Sequence, residues 1–188
     1  MLIIGITGTL GAGKGTIVEY LIREEFFVHH SVRAFLSQEI IKKGLPLNRD
    51  TMTWLANELR KKHSPSYVVD RLYNEALKEG KDCIIESIRT RGEVESLRQK
   101  RDFYLFAVDA DPAIRYKRVV ARDSETDRIS YQTFLDNERR EMHSAGAGEQ
   151  NIAWCMAHAD FVFVNNGTKE ELFVEVKKVM DTLRSKNG

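Results

Sequence analysis

Leu2, Ile3, Ile4 and Ile6 form a β-branched apolar run, and Ile17, Val18, Leu21 and Ile22 recur at helical spacing. Between them lies Gly8-Thr9-Leu10-Gly11-Ala12-Gly13-Lys14-Gly15-Thr16. Strand, glycine-rich loop, helix is an order that few folds accommodate. Gly8, Gly11 and Gly13 allow the backbone to turn left-handed and come close to a ligand, where a β-carbon would obstruct it. The loop N–H groups then converge as an anion nest at the positive end of the helix, and Lys14 adds a full charge. The pattern G-x-x-x-x-G-K is met in full, which implies a nucleoside triphosphate with its β- and γ-phosphates on Lys14. One position departs: Gly15 follows the lysine where a hydroxyl residue is usual, and the hydroxyl arrives one residue later on Thr16. A magnesium ion would then rest less on that side chain and more on phosphate oxygens and water.

At 188 residues the chain suits one domain, 1–188, able to remove roughly 70% of its unfolded surface from water. With 29 basic and 28 acidic residues the formal charge is +1, so no general field attracts nucleic acid and anion binding has to be local. Cys83 and Cys155 lie far apart, with Cys83 inside an apolar run, and are expected to be reduced core thiols. No basic segment precedes Leu2 and no apolar run reaches spanning length, so a cytoplasmic location without a membrane partner is expected.

Strand-like runs recur at Leu2 to Ile6, Phe26 to His29, Cys83 to Glu86, Phe103 to Val108 and Phe161 to Val164, with helix-like segments between them. This alternation predicts an α/β fold, a five-stranded parallel sheet with helices on both faces. From 31 to 80 there is room for three helices, broken at Gly44-Leu45-Pro46 and His63-Ser64-Pro65. The excess over one crossover helix predicts a small helical insert over the sheet's carboxyl edge, where an acceptor would sit. A polar stretch at 122–130 is either a short lid that excludes water or an ordinary loop.

Glu86 ends an apolar strand, with Arg89 three residues on. An acid there can orient magnesium's water shell or accept the proton of an attacking hydroxyl, and an arginine can clamp a phosphate. Arg115, Arg118 and Arg122 share one helix face after Asp111-Pro112, with Arg118 and Arg122 the stronger candidates for phosphate contacts. Arg128, Arg139 and Arg140 are further candidates, unless Glu138 and Glu141 pair with them. The five histidines show no metal-ligand spacing and read as structural or exposed; Trp54 and Trp154 read as packing residues.

On these residues the chain resembles the nucleoside monophosphate kinases of the adenylate kinase group over nearly its whole length. Gly11-Ala12-Gly13-Lys14-Gly15-Thr16 matches the loop of that group, including the glycine after the lysine. Glu86-Ser87-Ile88-Arg89 stands where those kinases have Asp-Gly-x-(Pro)-Arg, whose arginine holds the acceptor phosphate. Arg118-Val119-Val120-Ala121-Arg122 resembles their Arg-Ile-x-x-Arg segment, in which the first arginine lies against the adenine and the second reaches the phosphates. Ala159-Asp160, the strand to Val164 and Asn165-Asn166-Gly167-Thr168 are similar to the closing strand and loop of adenylate kinases and dephospho-coenzyme A kinases. The chain departs from the family at Ser37, where an acceptor arginine is usual, and at Ala34, near which an acid is usual; Arg33 and Arg60 are the replacement candidates.

The resemblance implies a three-layer P-loop kinase fold with a small helical acceptor-binding insert and a short lid. It also implies an ATP- and magnesium-dependent phosphotransferase acting on a nucleoside or deoxynucleoside monophosphate. Expected donor contacts are Gly8, Gly11, Ala12, Gly13, Lys14, Gly15, Thr16, Arg118, Asn166 and Gly167, with Arg122 on the phosphates. Thr16 and Glu86 would hold magnesium, and Arg33, Arg60, Arg89 and Glu86 would meet the acceptor. Two alternatives stand beside this: a dephospho-coenzyme A kinase, with Glu86 as base, and an ATP-hydrolysing assembly or regulatory factor with a protein or RNA partner.

Overall fold

The computed structural model describes residues 1–122, 129–143 and 145–187. Among them, β1 (Ile3–Gly8), β2 (Val28–Ser31), β3 (Cys83–Glu86), β4 (Phe103–Asp109) and β5 (Phe161–Val164) form one parallel sheet in the order β2-β3-β1-β4-β5. The helices are α1 (Lys14–Glu25), α2 (Val32–Lys42), α3 (Arg49–Lys62), α4 (Tyr67–Glu79), α5 (Arg91–Arg98), α6 (Pro112–Ala121), α7 (Tyr131–Met142), α8 (Ile152–Ala157) and α9 (Lys169–Asn187).

β1, β3 and β4 are apolar at nearly every position because both faces of the sheet are covered there. Ile4, Ile6, Ile84, Phe106 and Val108 pack against Ile17 and Leu21 of α1 and Val176 and Met180 of α9. Their strand neighbours Ile3, Cys83, Ile85 and Leu105 point the other way, onto Leu72 and Ala76 of α4, Val94 and Leu97 of α5 and Cys155 of α8. Burial pushes both cysteine thiols up to about 12, as suits unreactive core residues.

The bounds of β1, β2 and β4 differ from the sequence expectation, the last by a single residue, and two of the differences have a visible cause. β1 continues past Ile6 to Gly8 because β4 keeps pairing with it as far as Gly8 opposite Val108. β2 starts at Val28 because Phe26, at φ 60, closes α1 in the left-handed conformation and is 82% exposed.

The 31–80 region holds the three expected helices. Asn48 starts α3 by accepting the Thr51 N–H at 2.8 Å, and Gly80, at φ 65, ends α4. Val32, Leu36 and Ile40 of α2 and Leu55 and Ala56 of α3 share a core with Ile3 and Ile85 of the sheet. The insert is therefore rooted in the main core. Because all five strands run the same way, Gly8, Ser31, Glu86, Asp109 and Val164 end at one edge, and the chemistry-bearing residues gather there. Of the expected lid at 122–130, residues 123–128 lie outside the described residues, as does Arg128.

Phe106 on β4 meets Phe161 and Phe163 edge-on, at centroid separations of 5.5 and 5.4 Å, and is fully buried. Phe106→Ala is expected to cost about 3–5 kcal/mol in urea unfolding, against less than about 0.5 kcal/mol for Val162→Ala on the exposed face of β5.

Candidate active site

The phosphate loop joins β1 to α1, and its shape is imposed by close packing. Gly11, at φ 80, would place a β-carbon 2.5 Å from the Arg115 carbonyl oxygen; Gly13, at φ 115, would place one 2.3 Å from Asn165 Nδ2. No side chain fits at either. Four of the loop carbonyls each have a side-chain partner. Lys14 Nζ donates to the Gly8 and Thr9 oxygens at 2.9 and 2.7 Å, Arg115 Nη1 to Leu10 O at 3.3 Å and Asn165 Nδ2 to Ala12 O at 2.7 Å. Thr9 Oγ1 donates to Asp109 Oδ1, at the end of β4, at 2.5 Å.

Arg115 is accordingly an anchor. It is 2% exposed, donates Nε to Ala110 O at 2.7 Å, pairs with Glu138 and lies over the Phe134 ring. It was the weaker candidate of the row with Arg118 and Arg122, and its guanidinium is taken up by Glu138 and the Ala110 and Leu10 oxygens.

A cavity of about 730 Å³ opens in front of the loop. Gly11, Gly13, Lys14, Gly15, Thr16, Arg33, Arg60, Glu86, Arg89, Arg118 and Arg122 all line it, so most of the expected site residues are brought together. Among the described residues its wall carries seven cationic side chains against three carboxylates, a local excess that suits a polyphosphate despite the near-neutral chain. Gly8 and Ala12 lie behind the wall and act through their carbonyls.

Two expected contacts are placed otherwise. Asn166 turns its side chain to the Asp111 N–H at 2.8 Å, and Gly167 borders a separate hollow of about 390 Å³ beside α9. Arg118 ties this segment to α6 by donating to Asn165 O at 2.8 Å and Gly167 O at 3.0 Å. Arg60 reaches the cavity wall, but its Nε and Nη2 both donate to Oε1 of fully buried Glu93, at 3.2 and 2.7 Å. Arg60, an expected acceptor contact, is thus held in a buried pair with Glu93 where it meets the cavity wall. The other oxygen of Glu93 accepts the Arg89 and Thr90 N–H groups at 2.9 and 3.1 Å, so the pair fixes the backbone that carries Arg89.

Glu86 accepts from Ser31 Oγ at 3.1 Å and has His29 Nε2 3.6 Å away. Burial opposes its charge, but His29, Ser31 and Lys14 prevail and hold its carboxyl below the usual range, hence ionised. Ser87 follows at φ 65, the left-handed conformation natural to the glycine of the Asp-Gly-x-(Pro)-Arg segment. Lys14 shifts the other way. Burial, then the Arg89 charge and more weakly Arg122, bring it down to about 7 against the opposing pull of Glu86 and Glu141.

Several site residues were not singled out from sequence. Arg49, Met52 and Thr53 of α3, Glu141 of α7 and Gln150 line the same cavity. Glu141 bridges Arg49 and Arg89, and does not take up the neighbouring Arg139 and Arg140, which bind Asp136 and Asn137. Trp54, expected to pack, is 49% exposed on α3. Asp109 had one available signal, an acid at the carboxyl end of a predicted strand; Arg49 and Glu141 had none, because each depends on a partner far away in the chain.

Two outcomes follow. Between pH 7 and 10.5 the unfolded chain holds a proton on Lys14 that the empty folded loop does not, so this residue makes stability rise with pH across that window. Nucleotide phosphates restore the charge, so calorimetry in buffers of differing ionisation enthalpy should show uptake of about one proton on ATP binding at pH 8. That uptake should vanish by pH 6, and Lys14→Met should lack it while keeping its fold. Glu93→Gln strands a buried guanidinium and is expected to cost about 3–5 kcal/mol in urea unfolding.

Residues 4–144 match the family described as an AAA domain. A UPF0200 protein of Methanococcus vannielii is 32% identical over 168 residues, covering 88% of this chain and 87% of the relative. Shikimate kinase from Bacteroides thetaiotaomicron superposes with a TM-score of 0.57 at 13% identity, over 97% of this chain and 98% of that one. Dephospho-CoA kinase from Campylobacter jejuni gives 0.52 at 14% identity, over 96% of each. At such identities the two kinases show the fold, a P-loop kinase fold on a five-stranded parallel sheet. Among the described residues no helix is long and apolar enough to cross a membrane. The phosphate loop at residues 8–16, the match over residues 4–144 and the identity to the Methanococcus protein together make this chain a member of the AAA domain family of P-loop NTPases and of the UPF0200 proteins.

Proposed function

We propose that the protein is an ATP-dependent phosphotransferase that moves the γ-phosphoryl group to a small phosphorylated acceptor, a nucleoside or deoxynucleoside monophosphate. The observation that carries this is one cavity with Lys14 and the phosphate loop in its wall together with Arg33 of α2 and Arg89 just past β3. Two anionic partners can therefore share one enclosure, which an NTPase that only hydrolyses its nucleotide does not require.

In this scheme the loop amides and Lys14 hold the β- and γ-phosphates, Arg118 and Arg122 lie on the donor side, and Arg89 with Arg33 takes the acceptor phosphate. An acceptor oxygen forms the new bond to the γ-phosphorus as the bond to the β-phosphate oxygen breaks, and ADP leaves. The protein's contribution is position and charge. Thr16 and ionised Glu86 both line the cavity and fit a magnesium ion that completes its shell with phosphate oxygens and water. Magnesium bound there would neutralise charge developing between the β- and γ-phosphates. A phosphate acceptor is already a nucleophile at neutral pH and needs no base.

One observation favours a second reading. Glu86, held ionised beside His29, can take the proton of a hydroxyl acceptor, as a dephospho-coenzyme A kinase would require.

The test is coupled ADP release with ATP and magnesium against nucleoside and deoxynucleoside monophosphates and dephospho-coenzyme A. A monophosphate is expected to raise turnover well above the water background. Lys14→Ala should abolish transfer, and Arg89→Ala should lower kcat/KM about 10²–10³-fold. Stimulation by dephospho-coenzyme A alone would select the second reading. ATP binding without stimulation by any acceptor would point to an ATP-hydrolysing factor with a macromolecular partner.

A further inference from the structure

Three glutamates, Glu93, Glu138 and Glu141, pair with arginines of the loop and cavity region, and they differ in what else they hold. Glu93 binds Arg60 with one oxygen and two backbone N–H groups with the other, and both side chains are buried, at 0% and 3% exposure. Arg115 pairs with Glu138 and is locked to the backbone at Ala110 and Leu10. These two pairs are knitted into the fold.

The third is built differently. Glu141, on the last turn of α7, offers one oxygen to Arg49 Nη2 and the other to Arg89 Nη1, the latter at 2.7 Å. Arg49 opens α3 in the insert, 92 residues away in sequence, and Arg89 lies just past β3, 52 residues away. All three side chains line the cavity and stay partly open to it, at 24%, 28% and 14% exposure for Arg49, Arg89 and Glu141. Gln150 Oε1 stands 3.5 Å from the same Arg89 nitrogen. A carboxylate with each oxygen on a different guanidinium is held as a bound anion is held. Burial works against its charge, and the two arginines overcome that and keep it ionised.

We propose that Arg49 and Arg89 form the anion clamp for the acceptor, and that Glu141 is an internal stand-in which the acceptor's phosphate displaces. This rests on the phosphotransferase reading and adds to it a further cation, Arg49, beside Arg89 and Arg33, and the carboxylate that competes for it. Arg49 supplies from α3 the charge that Ser37 does not supply from α2. The displacement filters acceptors by charge. A dianionic phosphate outbids a carboxylate for two guanidinium groups, whereas a neutral molecule leaves Glu141 in place. Val32, Leu36, Met52 and Ala56 supply an apolar wall for the rest of the acceptor.

The experiment titrates inorganic phosphate calorimetrically into protein saturated with magnesium and a non-hydrolysable ATP analogue, so that the phosphate loop is already filled. Glu141→Gln is expected to bind phosphate at least about tenfold more tightly than wild type, the worth of one charge-assisted contact no longer competed for. Glu141→Ala should gain similarly, which keeps the test decisive if the glutamine variant fails to fold. Arg49→Gln added to either should cancel the gain, and near-ultraviolet circular dichroism checks the fold of each. Equal phosphate affinity in wild type and both folded Glu141 variants would make Glu141 a strut and overturn the proposal. Nucleotide affinity is measured separately. A gain that persists in protein unable to bind nucleotide would leave the anion clamp standing and remove the kinase reading, whereas nucleotide binding without the gain would do the reverse.

Discussion

A backbone that turns its amides inward to meet an anion must find other partners for its carbonyls, and that demand organises much of this structure. The oxygens of Gly8, Thr9, Leu10 and Ala12 are taken by Lys14, Arg115 and Asn165, from α1, α6 and the residue after β5. Each partner is positioned by something else: Arg115 by Glu138 and Ala110 O, Asn165 by its pairing with the end of β4, where its N–H donates to Asp109 O at 2.8 Å. The loop is therefore held from behind by elements more than a hundred residues apart in sequence. The sheet order follows the same logic, because β1 in the centre, flanked by β3 and β4, lets several strand ends converge on the loop.

Most of the fold was legible in the sequence for a simple reason. Strands buried on both faces are continuous apolar runs, so Cys83 to Glu86 was found with its boundaries intact, and the apolar run Phe161 to Val164 likewise marks β5, although Val162 and Val164 of that edge strand are exposed. Breaks at Gly44-Leu45-Pro46 and His63-Ser64-Pro65 are local backbone chemistry, and they separate α2, α3 and α4. Errors came where local pattern and pairing disagree. Phe26 looks like the start of a strand, yet it closes a helix in a left-handed conformation while exposing its ring. Only tertiary context decides such a case.

The arginines show the limit more sharply. Arg115, Arg118 and Arg122 share one face of α6, and spacing alone assigns them one role. Three environments divide them: Arg115 is buried against the Phe134 ring, Arg118 borders the cavity while tying down the carbonyls after β5, and Arg122 lines the cavity. Arg60 and Arg49 lie on one helix, and the first went to Glu93 while the second faces the cavity with Glu141. A guanidinium's role is set by the carboxylate it meets, and here those carboxylates lie 33 and 92 residues away.

The distribution of those carboxylates also shapes the energetics of the empty site. Gathering Lys14, Arg49, Arg89 and Arg122 around one cavity is costly without a ligand, since each cation raises the free energy of the others. Two devices relieve that cost. Lys14 sheds part of its charge, its affinity for a proton falling to about 7, and Glu141 lends a negative charge to Arg49 and Arg89. Under the proposed function both would be reversed by phosphates, which would recharge the lysine and replace the carboxylate. The protein can thus keep a strongly cationic site folded while empty, and hold that charge ready for the anions that justify it.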